Sequence, residues 1–211
     1  MESPLLFKEH LALLTTTALT ELAKSSANDP VSESHYLSLW VTQAIKNKRF
    51  DLCMSPLLKQ WQQSARTLGQ GANLKHQFES IKHDYQHVDN LGETITKDSL
   101  LTLFNVIEAA DWQVNYQHLG RKKVAIKMLS SSSLVVDNES FEKAFDENGL
   151  LVNQINLFIR GNNKHFFKAA YDCGMLCFKL SDYKSVVKFH GQYVIAANNN
   201  YASIAEFSSD F

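Results

Sequence analysis

A chain of 211 residues, 45% apolar and 20% charged, is long enough to bury a core and too ordinary in composition for disorder or a fibrous repeat. Its net charge of −1 excludes a whole-chain basic field for nucleic acid. Its three cysteines are an odd number, too few for a disulfide framework at this length.

Residues 6–24 read as a helix, because Phe7, Leu11, Leu14, Ala18 and Leu22 recur at spacings of three and four. Lys24 in its last turn suits the helix dipole, and Ser25 to Pro30 reads as a loop. Residues 32–47 form a second helix with Tyr36, Leu37, Trp40, Val41, Ala44 and Ile45 inward. Ser55 reads as the N-cap of a third, with Pro56 at the first helical position and Gly69 as its stop. Asn73 is expected to cap a fourth helix over 74–88, and Thr96 opens a fifth over 97–110.

At Asp111-Trp112 the apolar period changes from about 3.6 to 2. Trp112, Val114 and Tyr116 alternate with polar residues as in a half-buried strand, and 124–128 is its expected hairpin partner across the turn at Gly120-Arg121. A short strand over 134–136 follows, then a helix over 138–147 capped by Asp137. A strand at 155–159, a helix at 163–173 and a strand at 175–180 make a β-α-β unit, long enough for a right-handed parallel crossover. Strands at 186–189 and 193–197, joined by His190-Gly191, complete the pattern. The expected class is α+β: an N-terminal bundle-like half of about five helices, then a mixed β-sheet half with two short helices. The regions are 1–111, 112–200 and a tail at 201–211, and the first two can share one core. Residues 1–111 hold 10 Lys/Arg against 13 Asp/Glu, a balance of −3, and residues 112–200 hold 11 against 7, a balance of +4.

The run Arg160-Gly161-Asn162-Asn163-Lys164-His165 lies where a strand ends and a helix begins. Helix-start N–H groups attract anions, and Arg160, Lys164 and His165 add charge while Asn162 and Asn163 offer amides. The competing reading is an ordinary loop with an asparagine cap, and the glycine spacing is not that of a P-loop. A basic tip, Arg121-Lys122-Lys123 with Lys127 following, is the nucleic-acid candidate; Tyr116 and His118 could stack on bases. Its competitor is a charged turn that keeps a hairpin in solution. His76, His83 and His87 share the polar face of the fourth helix with Glu79. A helix-surface pair at i,i+4 without a third wall holds metal weakly, so a solvated face is expected there, with no metal and no cofactor. Cys173 and Cys177 are CxxxC without a second pair, and all three cysteines read as reduced, mostly packed thiols. Trp40, Trp61 and Trp112 read as core. Tyr201, Ile204, Phe207 and Phe211 have near-helical spacing and could dock into a groove.

Enzyme motifs such as G-x-S-x-G, H-E-x-x-H and G-x-G-x-x-G are missing. Glu2 and the Lys8-Glu9-His10 interruption argue against a signal peptide, and no apolar run reaches the length of a membrane span. These features point to a cytoplasmic protein that is not membrane-bound and weigh against an enzyme, while a triad assembled by the fold stays open. Two readings stand. The first is a non-catalytic interaction or regulatory protein with a protein partner. The second is a protein that binds nucleic acid or a phosphate ligand through the basic C-terminal half. Oligomeric state is left open.

Four segments are familiar as a set: Leu39-Trp40-Val41, Trp61 through Arg66 to Leu68-Gly69, Ala144-Phe145-Asp146-Glu147-Asn148-Gly149-Leu150, and Ile159-Arg160-Gly161-Asn162. Together they resemble a bacterial family of about this length, known only as a domain of unknown function, over roughly residues 6–197. The resemblance implies a bacterial cytoplasmic origin and carries over no activity or catalytic residue.

Overall fold

A computed structural model describes residues 6–92, 94–120, 122–127, 129–182 and 185–206. The chain divides into two compact units, residues 1–86 and 87–210. None of the described helices is long and apolar enough to cross a membrane.

The first unit is built by α1 (Phe7–Ala23), α2 (Pro30–Lys46), α3 (Ser55–Leu68) and the start of α4 (Leu74–Leu91). Asp29, expected in a loop, caps α2: its carboxylate accepts the N–H groups of Val31 at 2.9 Å and Ser32 at 3.2 Å. Pro30 then takes the position where a missing N–H costs nothing, so the helix starts two residues before Ser32. Ser55 lies inside α3 and makes no cap bond. A 3-10 turn, Leu52–Met54, leads into that helix and is capped by Asp51. Asn73 does not cap α4 in the extended conformation; it is left-handed, with φ 45°, and offers its carbonyl to the Gln77 N–H at 3.1 Å. The apolar stripes face inward as their spacing required, with Leu14, Leu37, Met54 and Phe78 fully buried. Trp61 packs edge-on against Phe78 at 4.7 Å and gives its indole N–H to Gln77 at 3.0 Å. A buried indole is stable only when that donor finds a partner.

The second unit joins α5 (Lys97–Ala109), α6 (Asn138–Glu142) and α7 (Asn163–Asp172) to a five-stranded sheet. Its strands are β1 (Trp112–Gln117), β2 (Ser132–Asp137), β3 (Ile155–Arg160), β4 (Cys177–Ser181) and β5 (Gly191–Ile195), in the order β1-β2-β3-β5-β4. The class is α+β, with most of the helices ahead of a mixed sheet. Trp112, Leu134, Leu157 and Tyr193 line one face and share a core with Leu103 of α5, Phe141 of α6 and Phe166 of α7. Burying each of these large side chains contributes about 1.5–3 kcal/mol.

Two expected strands are absent. Residues 124–127 do not form a hairpin with β1, whose partner is instead β2, in parallel, from Trp112↔Ser132 to Gln117↔Asp137. A parallel pair needs a long connection, and in the stretch between β1 and β2 Leu119 and Ile126 pack against the sheet's second face. Residues 186–189 are likewise not a strand. The two segments meet each other through one parallel bridge, Val124↔Val187. Their apolar residues cover the second face: Val187 packs with Val135 and Phe158, and Ile126 and Val186 pack against them. Both segments are therefore apolar for burial, and their alternation is not a ladder signal.

The β-α-β reading is half right. β3 and β4 run in the same direction, each antiparallel to β5, but β5 inserts between them. The helix expected over 138–147 ends at Glu142. Beyond it Asp146 Oδ1 accepts the N–H groups of Asn148 at 2.9 Å and Leu150 at 2.8 Å, which turns the chain. The tail is docked as far as described: the Glu206 N–H reaches the Cys177 carbonyl at 2.7 Å, and Tyr201 lies against Phe178 at 5.4 Å. Phe207 and Phe211 lie outside the described residues.

Candidate functional site

The 160–165 run is split by the geometry of the strand end. Gly161 has φ 109°, and a Cβ there would sit 2.6 Å from the Ser132 Cα, so only glycine fits. Asn162 caps α7 by accepting the His165 N–H at 3.2 Å, while its own N–H goes to Ser132 Oγ at 3.2 Å. The Asn163 N–H goes to the Gly161 carbonyl at 2.9 Å, and its side-chain amide donates to the Tyr193 hydroxyl at 3.2 Å. His165 stacks with Trp112 at 6.3 Å. Three N–H groups that an anion would need at this helix start therefore already have acceptors, leaving the exposed side chains of Arg160 and Lys164.

Arg160 points elsewhere. Its guanidinium lies 5.9 Å from the centroid of Phe189, a ring that is 69% exposed on a residue with φ 65°. A bulky residue in the left-handed region is strained and persists only if its surroundings hold it. His190 does the holding. Its Nδ1 is 2.8 Å from the Lys188 carbonyl, which can only accept, so Nδ1 carries the proton and Nε2 accepts from Ser133 Oγ at 2.8 Å. The single Ser185 O–H is shared between the carbonyls of Val187 at 2.7 Å and His190 at 2.9 Å. Burial pushes the His190 pKa down; the Lys188 carbonyl opposes this and Arg160 adds to it.

The basic tip reaches the same segment. The Val124 N–H donates to Val186 at 2.8 Å, and the Lys188 N–H returns to Val124 at 2.9 Å. In this parallel bridge Lys122 and Lys123 lead into Val124 alongside Ser185 and Val186, a short step before exposed Lys188, whose neighbour Phe189 meets Arg160. Lys127 lies farther along, its carbonyl taken by Gln113 of β1 at 3.2 Å. Arg121 lies outside the described residues. Phe189, His190, Ser133 and Ser185 were not singled out from sequence; His190-Gly191 read as a simple turn, and Ser133 is remote in the chain.

In the helical unit, His83 and Glu79 line a cleft of about 450 Å³ with Glu33, Lys75 and Lys82. Lys75 is paired with Glu33 at 2.8 Å, and that bond raises its pKa. His83 pairs with Asp84 at 3.1 Å, whereas His87 stacks on Tyr171 at 4.5 Å. His76 also has a partner. Among the described residues, the metal-capable group of three is not these histidines but His10, Asp51 and Cys53. Trp40, Trp61 and Trp112 are buried, as read. All three cysteines are free; Cys177 is buried, but Cys53 is exposed rather than packed.

The Ala144–Leu150 segment has a structural role. Gly149 takes φ 74°, and its carbonyl accepts the Lys97 N–H at 2.8 Å, fastening the start of α5. Neither a curated protein nor a solved structure matches the chain. A family model described as "Protein of unknown function (DUF2913)" matches residues 6–208, and the chain belongs to that family.

Proposed function

We propose that the protein is a non-catalytic binding protein whose sheet unit takes a phosphate-bearing ligand with a stacking base, a single-stranded nucleic acid or a nucleotide. The observation that carries this reading is Phe189: an exposed aromatic in a strained conformation, locked by buried His190 and faced by Arg160. An aromatic face stacks a base of any sequence, and flanking cations take the phosphates. Lys122, Lys123 and Lys188 supply those cations. The Ser133–His190 pair has the bond of a nucleophile to its base, but Ser133 is 0% and His190 1% exposed, which supports a lock and not a reacting centre.

Fluorescence anisotropy with labelled single-stranded DNA, RNA and a mononucleotide at low salt tests the reading. Binding is expected, weakened about 5- to 150-fold in F189A, the range that loss of one stacking contact spans. No binding of any of the three ligands, or binding unchanged in both F189A and R160E, overturns it. Retention of the mononucleotide alone identifies a nucleotide site rather than a strand groove.

A further inference from the structure

Three metal-capable side chains of different chemistry meet in the helical unit. His10 is on α1, and Asp51 and Cys53 belong to the 3-10 turn ahead of α3; one ligand atom from each lies within 4.8 Å of the others. The turn is set before any ligand arrives, because Asp51 Oδ1 accepts the Cys53 N–H at 2.8 Å and Met54 beside it is fully buried. A cleft of about 350 Å³, lined by His10, Leu13, Thr17, Arg49, Phe50 and Asp51, opens on the group.

We infer that His10, Asp51 and Cys53 bind a borderline divalent cation, zinc, with its fourth position open to the cleft. Imidazole, carboxylate and thiolate are zinc's usual ligands, and at bond lengths of roughly 2.0–2.3 Å in a tetrahedron they stand about 3.3–3.8 Å apart. No two of these ligand atoms are more than 4.8 Å apart, so the group is at most about 1.0–1.5 Å from closure, which side-chain rotation of half-exposed His10 and exposed Cys53 covers while Asp51 keeps its cap bond. Calcium and magnesium prefer an oxygen shell, and Asp51 is the one hard ligand of the three. Arg49 lines the same cleft, but its guanidinium is engaged by the Glu21 carboxylate, which offsets its repulsion of a cation. Three protein ligands with a free fourth position is the arrangement of a reactive or exchangeable site, not of a closed structural one.

Binding replaces the Cys53 S–H bond by a sulfur–metal bond and releases one proton to solvent. Because the thiol loses its proton on binding, affinity rises with pH.

Cobalt(II) titrated into the full chain under reducing conditions tests the site. One equivalent is expected to raise a thiolate-to-cobalt charge-transfer band and visible bands of tetrahedral strength, and zinc is expected to displace the cobalt one for one. C53S abolishes the charge-transfer band. H10A weakens binding by at least the roughly tenfold that loss of a merely supporting residue costs, and H83A changes nothing. Circular dichroism establishes that each variant is folded. A band that survives in folded C53S, and so arises at Cys173 or Cys177, overturns the assignment. So does the absence of any band at one equivalent in the intact chain.

Discussion

At His190 both ring nitrogens are satisfied inside the protein, by Lys188 and Ser133, and the ring is held neutral by burial. Its unfolded counterpart takes up a proton near pH ~6.5, whereas the folded ring stays neutral to lower pH. Between those two values the unfolded chain binds more protons, so the lock's contribution is complete above the unfolded pKa and is lost as pH falls through the folded one. The urea midpoint is therefore expected to fall between pH 7 and pH 5, with a flatter profile in H190Q. Glu206, whose pKa burial raises, works in the opposite sense, so the difference between the two profiles isolates His190. An identical slope in H190Q excludes the lock. None of this was legible locally: Ser133 and His190 are joined only when β2 and the 185–190 segment meet. Reading along the chain finds a turn at His190-Gly191, and only the fold finds the ring's partner.

At the scale of elements, ends decided by adjacent residues were the legible ones. Thr96 and Asp137 cap α5 and α6 as read, and Asn162 caps α7 as the competing reading of its loop had it, because a cap needs only a short polar side chain and the N–H groups two or three residues on. Asp29 obeys the same rule and escaped notice because Pro30 reads equally well as a loop residue or as a first helical residue. Replacing Asp29 by alanine is expected to lower the denaturation midpoint at unchanged slope, because the cap bonds to Val31 and Ser32 are lost; an unaltered midpoint would mean that Pro30 alone sets the start of α2. Strands were less legible for a physical reason. The segments at 124–127 and 186–189 carry the apolar alternation of strands, but the sheet's second face needs an apolar cover as much as a ladder needs partners. Alternation reports burial, and pairing is settled elsewhere. The parallel β1–β2 register displaced the hairpin, and the basic tip moved with it from a hairpin turn to a crossover that meets the 185–190 segment.

At the scale of the molecule, the acidic-to-basic step at Asp111-Trp112 does not coincide with the division into units. Residues 1–86 hold 9 Lys/Arg against 8 Asp/Glu, a balance of +1, and residues 87–210 hold 12 against 14, a balance of −2. The acidic stretch from 89 to 111 belongs with the sheet, whose core takes Leu103 and Ile107 of α5. No net field then draws an anion to the sheet unit, and attraction must come from the few cations near the 185–190 segment: Arg160, Lys188, Lys122 and Lys123. That sets the salt dependence. A single strand held by Arg160, Lys122, Lys123 and Lys188 neutralises at most about four phosphates, so the logarithm of affinity should fall against that of salt with a slope of about −3. K188E and K123E should each make it shallower by about 0.7, while F189A weakens binding and leaves the slope in place, since stacking releases no counterion. A slope much steeper than four cations allow would place the strand on a different, larger surface. A slope near zero would mean that the ligand is held without its phosphates, and these cations would be solvated charge and nothing more.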